Sequence, residues 1–144
     1  MERELKVQLD GVLENQGLAR AIAAAYVSQS DPTVEELTEV KTAVSEAFSN
    51  AAIHGYQGKG GTVKMEFALT SKDTVMIKVI DEGIGIEDIA MAMEPLYTTD
   101  TGQDRSGMGF TVMESFMDRI KVDSKPGEGT TVTMIKKLDT YYGI

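Results

Sequence analysis

The stretch DEGIGI, from Asp81 to Ile86, places a carboxylate and two glycines directly after an apolar run typical of a strand. A carboxylate at the end of a strand can accept a hydrogen bond from the amino group of a ligand. Gly83 and Gly85 carry no Cβ, so the backbone there can lie close to a flat ring. The same letters also form turns, because Asp and Gly both favour them. The stretch therefore indicates either a ligand contact or a plain strand end.

A second glycine-rich stretch, RSGMGF, runs from Arg105 to Phe110 and opens a helical pattern. Free N–H groups and the positive end of the helix dipole make the start of a helix a site for anions. Arg105 lies just before that point and could donate charge-assisted hydrogen bonds to a terminal phosphate. A flexible loop with Ser106 as the N-cap is the alternative, and the stretch alone fits both.

Glu46 and Asn50 are four residues apart on a predicted helix, so their side chains are neighbours on its surface. At about 100° per residue, their row lies roughly 120° from the apolar stripe of the same helix. Neither side chain is therefore expected to point into the main core. A solvated polar flank explains such a pair equally well, and the helix alone favours that explanation.

The first half of the chain predicts a strand and two helices that carry this pair. Leu5, Val7 and Leu9 alternate in a short strand, and an alanine-rich helix follows over residues 15–29. Asp31-Pro32 is expected to cap a second helix, which runs to about His54 and stops at Gly55.

The second half predicts strands around the two glycine-rich stretches. Residues 61–70 and 73–81 alternate and form a predicted hairpin. Residues 82–107 are irregular, with one short helix near 86–93. A third helix over 108–120 precedes a strand, a Pro-Gly turn and a last strand. Together these elements predict an α+β two-layer sandwich, with helices on one face of a mixed, mostly antiparallel sheet.

The composition of the 144 residues predicts one domain over the whole chain, 1–144. A hydrophobic content of 42% is enough for a core, and a net charge of −9 argues against direct nucleic-acid binding. Because cysteine is absent, disulfides and thiolate metal sites are excluded. We find no signal-peptide pattern and no apolar run of about 18 residues, so we expect a cytoplasmic protein without a membrane partner.

The order of the motifs is more specific than any one motif: Glu-x-x-x-Asn on a helix, DEGIG after a strand, a loop, then GMGF at a helix start. The chain has no P-loop motif and no HRD or DFG of eukaryotic-type protein kinases. The order resembles the GHKL ATPase and kinase superfamily with its Bergerat ATP-binding fold. EAFSNAAIHGY is similar to its N box, DEGIGI and SGMGF to its glycine boxes, and GEGTT to the segment before its last strand.

Stretches outside these boxes narrow the resemblance. DPTVEELTEVKTAVSEA, PLYTTD and RSGMGFTVMESFMD resemble the bacterial anti-sigma-F serine kinases of endospore formation, over nearly the whole chain from Leu5 to Leu138. That family implies a protein that sequesters a sporulation sigma factor and phosphorylates a serine of an anti-anti-sigma factor. It also implies ATP or ADP and Mg²⁺ as cofactors, and a homodimer in which the strand Leu5–Leu9 could pair across the interface.

The resemblance implies roles for single residues. Glu46 would be the general base for the attacking serine, and Asn50 would coordinate Mg²⁺. Asp81 would bind the adenine amino group, Arg105 the terminal phosphate, and Arg20 the protein partners. The implied nucleotide contacts in full are Asn50, Asp81, Gly83, Gly85, Thr98, Thr99, Arg105, Ser106, Gly107, Met108, Gly109, Phe110 and Thr130.

Three positions need separate expectations. Asp100 stands where the family usually has a lysine, which leaves the nucleotide contacts of the predicted lid, about 94–106, open. Arg119 replaces an acidic residue, and we expect a neutral surface change. His54 is expected to cap the end of its helix rather than to carry a phosphate.

Other functions remain compatible with the sequence. They are a nucleotide-dependent binding module without catalysis, a stress-response anti-sigma kinase of the same family, and a detached histidine-kinase catalytic domain. An intact Glu46 argues against the binding module, since sequestration alone needs no base.

Overall fold

The computed structural model describes residues 3–57, 59–70, 73–93 and 109–139. Its strands are β1 (Arg3–Asp10), β2 (Thr62–Leu69), β3 (Thr74–Asp81), β4 (Arg119–Lys125) and β5 (Gly129–Lys137). Its helices are α1 (Gln16–Ser28), α2 (Val34–Asn50), α3 (Ile89–Ala92) and α4 (Gly109–Phe116). A 3-10 turn at Leu13–Asn15 precedes α1, and a π-helical turn at Ala51–Gly55 continues α2.

The strands form one sheet in the order β1-β2-β3-β5-β4, and each neighbouring pair is antiparallel. Alternate residues of β2 and β3 are buried, which is the pattern of a sheet covered on one face. α2 packs against both α1 and α4 in the covering layer. The predicted α+β sandwich with helices on one face is therefore confirmed, and the described sheet is wholly antiparallel.

The start of α2 differs from the sequence prediction. Thr33, not Asp31, is the N-cap: its Oγ1 accepts a hydrogen bond from the Glu36 N–H at 3.0 Å. The Thr33 N–H donates in return to Glu36 Oε1 at 2.9 Å, which completes a capping box. Asp31 instead has a left-handed backbone, with φ of 52°. The T-x-x-E signal was present in the sequence and outweighs the Asp-Pro pair.

The third helix was predicted to reach Ile120, and this was wrong. α4 ends at Phe116, and β4 begins at Arg119, where it pairs with Ile135 of β5. Ile120 lies on β4 and packs against the core from there. The helical spacing of the apolar residues continues past Phe116, but pairing with β5 satisfies the backbone from Arg119 onwards and decides the structure.

The remaining predicted elements are confirmed, with small shifts at their ends. The short helix in the irregular region is α3, which covers four residues within the predicted 86–93. None of the described helices combines the length and apolar character that a bilayer crossing requires.

Candidate functional site

A cavity of about 900 Å³ lies between α2, the loop that follows β3 and the start of α4. This volume is in the range that holds a small-molecule ligand or cofactor. The predicted site residues that line it are Glu46, Asn50, Asp81, Gly85, Gly109, Phe110 and Thr130. Residues that are far apart in the sequence therefore meet at one place.

Asp81 is the last residue of β3 and forms part of the cavity wall, with an exposed fraction of only 6%. Its Oδ1 accepts a hydrogen bond from the Gly83 N–H at 2.9 Å. Burial raises the pKa of the Asp81 carboxyl, and hydrogen bonds from the backbone of Gly83 and Thr130 oppose that rise. The carboxyl group is therefore a hydrogen-bond acceptor that the backbone holds in one orientation, and it faces the cavity.

Gly55 makes this arrangement possible, and the sequence interpretation treated it only as a helix stop. A Cβ at Gly55 would lie 2.7 Å from Asp81 Oδ1, so a larger residue would displace the carboxylate from this position. The Gly55 carbonyl also accepts a hydrogen bond from the Ile84 N–H at 2.9 Å. The π-helical turn at Ala51–Gly55 therefore contacts the loop over residues 82–86, the glycine loop, directly. Turns of this type are frequent at functional sites.

Gly83 and Gly85 are required by contacts within the protein. A Cβ at Gly83 would lie 1.9 Å from the Gly55 carbonyl oxygen, and one at Gly85 would lie 2.0 Å from the Lys125 carbonyl oxygen. Gly85 also has a φ of 76°, which favours glycine. Gly83 does not appear among the described residues that line the cavity, whereas Gly85 does. The two glycines let the loop pack between the π-helical turn and the β4–β5 turn.

Glu46 and Asn50 are partly exposed and line the cavity beside the first residue of α4. A Cβ at Gly109 would lie 3.0 Å from Asn50 Nδ2 and 3.3 Å from Glu46 Oε2. The first N–H groups of an α-helix have no partner within the helix. A carboxylate, an amide and a helix N-terminus therefore meet here. Glu46 and Asn50 form part of the cavity wall rather than a solvated flank of the helix.

Thr130 is oriented by a residue that the sequence did not single out. Ser124 Oγ lies 2.7 Å from Thr130 Oγ1, donates to the Gly129 carbonyl at 2.9 Å and accepts from the Ile86 N–H at 2.8 Å. Because Ser124 uses its proton on Gly129, the Thr130 hydroxyl donates to Ser124. No local pattern marks this serine, since its partners come from two other segments, β5 and the loop that follows β3.

Ser49 is a second residue that the sequence reasoning missed. It is fully buried and lines the cavity, and within the described residues its Oγ has no hydrogen-bond partner. Buried hydroxyl groups are nearly always satisfied, so a ligand atom or an ordered water is expected to contact it.

The described cavity wall carries four carboxylates and neither lysine nor arginine; the carboxylates are Glu46, Asp81, Glu87 and Asp88. A ligand with several phosphates needs compensating positive charge in such a site. Within the described residues, no group of three or more acidic, histidine or cysteine side chains could hold a metal ion by itself. A cation here would therefore depend on ligand oxygens as well as on the protein.

Several predicted residues fall outside the described residues or away from the cavity. Thr98, Thr99, Asp100, Arg105, Ser106, Gly107, Met108 and the predicted lid, about 94–106, lie outside the described ranges. Arg20 is exposed on α1 and is not among the described residues that line the cavity. His54 lines the cavity at the last turn of the π-helical segment.

Comparison with known proteins agrees with this geometry. Residues 12–136 match the family model of the histidine kinase-like ATPase domain. The anti-sigma F factor of Clostridium acetobutylicum is 51% identical over 138 residues, which cover 96% of both chains. The anti-sigma F factor of Lysinibacillus sphaericus is 49% identical over 140 residues, which cover 97% of this chain and 96% of the relative.

Solved structures of lower identity share the fold. The RsbU and RsbW domains of a Mycobacterium tuberculosis protein have a TM-score of 0.65 at 19% identity, over 94% of this chain and 32% of that chain. The mycobacterial sensor histidine kinase MprB has a TM-score of 0.57 at 13% identity, over 95% of this chain and 100% of that chain. With a histidine kinase-like ATPase domain and half of its residues shared with full-length relatives, the chain belongs to the anti-sigma F factor family.

Proposed function

We propose that this protein is a MgATP-dependent serine kinase that sequesters a sporulation sigma factor of the sigma-F type and phosphorylates a serine of an anti-anti-sigma factor. One observation carries the proposal: Glu46 and Asn50 face the start of α4 in the same cavity that contains the buried carboxyl group of Asp81. A nucleotide needs recognition at both ends, and the cavity offers a different chemistry at each.

Asp81 is the proposed contact for the adenine amino group. The N–H of Gly83 already holds one of its oxygens, so the carboxylate has a fixed direction before a ligand arrives. Thr130 and Gly85 line the same part of the cavity and are proposed to support the base. A donor from the ligand would offset the unfavourable burial that raises the pKa of Asp81.

Asn50 is the proposed protein ligand for Mg²⁺. Its amide oxygen is of the type that Mg²⁺ prefers, and phosphate oxygens and waters would complete the coordination. The excess of carboxylates in the described wall supports a cation, since the triphosphate would otherwise be repelled. When bound, Mg²⁺ would supply positive charge that offsets the negative charge of the phosphates.

The start of α4 is proposed to bind the phosphates through the N–H groups of Gly109 and Phe110. Further proposed contacts to the nucleotide lie outside the described ranges; they are Thr98, Thr99, Arg105, Ser106, Gly107 and Met108. Arg105 is the proposed donor to the terminal phosphate.

Glu46 is the proposed general base. The serine hydroxyl oxygen of the partner attacks the terminal phosphorus, the bond from that phosphorus to the ADP oxygen breaks, and the serine proton passes to the Glu46 carboxylate. The carboxylate is next to Asn50 and Gly109, so it faces the region proposed for the terminal phosphate.

The partner contacts are proposed on the helical layer and the sheet edge. Arg20 is exposed on α1 and is the proposed contact for the sigma factor and the anti-anti-sigma factor. Within the described residues, β1 pairs only with β2, and its free edge is the proposed homodimer contact. We place the protein in the cytoplasm, where a sigma factor acts.

Transfer of labelled phosphate tests this proposal. Glu46→Gln is expected to bind MgATP like the wild type. Its rate of phosphate transfer is expected to fall about 10²-fold or further, because a positioned base typically contributes about 10²–10⁴-fold. Labelled ATP and the purified anti-anti-sigma factor give the rate, and calorimetry gives the affinity.

Glu35→Gln is the matched control, since Glu35 is an exposed glutamate on the same helix. Unchanged transfer by Glu46→Gln would remove Glu46 as the base. If the wild type transfers no label to serine while it still binds the sigma factor, the protein is a nucleotide-dependent binding module instead.

A further inference from the structure

Lys136 is a buried lysine on the face of β5 that the helices cover. Its exposed fraction is 7%, and the residues next to it on the same face, Val132 and Met134, are apolar. Its Nζ donates to Glu39 Oε1 at 3.0 Å and to the Phe116 carbonyl oxygen at 2.6 Å. A buried ammonium is unfavourable unless it is paired and hydrogen-bonded. The Glu39 carboxylate and the Phe116 carbonyl supply these interactions.

The two acceptors belong to different helices. Phe116 is the last residue of α4, where the carbonyl groups have no partner within the helix and a positive charge is favourable. Glu39 lies on α2, two turns before Glu46. Lys136 therefore joins the end of α4 to α2 and to the sheet.

The opposite end of α4 lies at the cavity, where Gly109 is beside Asn50 and Glu46. α4 has eight residues and is about 12 Å long, so a tilt at one end displaces the other. Of these eight residues, only Met113 is buried, and Phe110 at the start of the helix packs partly buried against the core. The contact of Lys136 with the Phe116 carbonyl adds a polar restraint at the other end of the helix.

We propose that Lys136 is a positioning residue for phosphate binding: through Phe116 and Glu39 it fixes the direction of α4 on α2 and so holds the first N–H groups of α4 beside Glu46 and Asn50. This inference rests on the proposed MgATP site. The adenine end of the cavity does not depend on Lys136, because β3 and the glycine loop form it.

The contacts of Lys136 with Phe116 and Glu39, here called the clamp, can be tested by hydrogen exchange without any nucleotide. Lys136→Met is expected to accelerate exchange of the α4 amides about tenfold or more, while the amides of β2 and β3 keep their rates. Lys137→Met is the matched control, because the neighbouring Lys137 side chain is 73% exposed and its ion pair with Asp73 is long, at 4.0 Å. Unchanged exchange in α4 would overturn the proposal.

If Lys136→Met accelerates exchange throughout the protein, a milder variant separates a local effect on α4 from a loss of global stability. Glu39→Gln retains an acceptor for Lys136 and leaves the contact to Phe116 in place. It is expected to accelerate exchange in α4 severalfold and nowhere else. An effect spread over the whole sheet would show that the network only supports global stability, against the proposal.

Nucleotide affinity tests the consequence for the site. In Lys136→Met, the Kd for MgATP is expected to rise at least threefold relative to the Kd for MgADP, because the displaced helix end serves the terminal phosphate. An unchanged ratio in a variant whose α4 exchanges faster would overturn the positioning role. If the wild type itself binds no ATP, the proposed function fails, and hydrogen exchange still decides whether the clamp exists.

Discussion

At the scale of single residues, Asp81 is a carboxyl group that the fold buries without a salt bridge to it among the described contacts. Desolvation raises its pKa, and the hydrogen bonds from the backbone of Gly83 and Thr130 only partly oppose this. In the free protein, the ionised form is therefore less favourable than in the unfolded chain. Burial of this carboxyl group therefore reduces stability, which is a common feature of functional sites.

Asp81→Asn tests both the effect of the buried carboxyl group on stability and its proposed contact with ATP. Because the folded pKa is raised, the contribution of Asp81 to stability is fully present below the ordinary carboxyl pKa and is lost as pH rises through the folded value. The melting temperature of the variant minus that of the wild type is therefore expected to increase from pH 4 towards pH 7. ATP affinity is expected to fall about 10- to 100-fold, since a hydrogen bond to a charged group contributes about 1.5–3 kcal/mol.

Thermal melts across this pH range and calorimetry check the two expectations. A melting difference that shrinks as pH rises would contradict the buried, ionisable carboxyl group. Unchanged ATP affinity would contradict the proposed adenine contact.

The sequence predicted some of the site residues because motif spacing carries that information. Glu46 and Asn50 share a helix face by periodicity, and Asp81 follows a strand pattern, so all three could be located in advance. Gly55 and Ser124 could not, because their partners come from other segments. No local pattern shows that a Cβ at Gly55 would meet Asp81.

At the scale of elements, the glycine loop packs closely between two backbone segments, at Gly55 and at Lys125. Gly83→Ala is expected to destabilise the protein by roughly 1–3 kcal/mol or more, because its Cβ would lie 1.9 Å from the Gly55 carbonyl oxygen. Denaturant unfolding measures this difference, and the same clash is expected to displace Asp81 and weaken ATP binding.

Gly17→Ala is the control for the loss of glycine flexibility, since no described atom beyond its chain neighbours and the backbone of its own helix lies within 4 Å of its Cβ position on α1. It is expected to leave stability unchanged or slightly raised. Equal stability for Gly83→Ala and the wild type would show that the glycine loop does not pack as described.

Element boundaries were the part of the fold that the sequence predicted least well. The spacing of Met113, Met117 and Ile120 is helical, yet the chain changes to a strand between the second and the third of these residues. Local periodicity cannot reveal this change, because the pairing of β4 with β5 decides it. The hairpin of β2 and β3 was predicted correctly, since both of its strands alternate and adjoin in the sequence.

At the scale of the whole molecule, the proposed partner contact Arg20 is not among the described residues that line the cavity, so the two proposed sites can be tested separately. Arg20→Glu is expected to weaken binding of the sigma factor at least tenfold, since interface arginines often contribute about 2 kcal/mol or more. ATP affinity is expected to stay within twofold. A pull-down with purified sigma factor and a nucleotide titration measure the two quantities.

Lys121→Glu makes the same change of charge at an exposed position on β4. It is expected to leave sigma-factor binding unchanged, which separates a local contact from an effect of net charge. Loss of both sigma-factor and ATP binding by Arg20→Glu would indicate misfolding and would count against Arg20 as a surface contact.

Glu46, Asn50 and Asp81 are proposed to enclose a MgATP site, and the dependence of ATP binding on Mg²⁺ decides whether they do. Calorimetry measures ATP binding to the wild type and to Asn50→Ala, with and without Mg²⁺. It separates the contribution of the metal contact to ATP affinity from that of the other contacts in the cavity. We expect Mg²⁺ to strengthen ATP binding to the wild type at least tenfold and to have little effect on Asn50→Ala. Equal dependence on Mg²⁺ in both proteins, or no ATP binding by the wild type, would contradict the account.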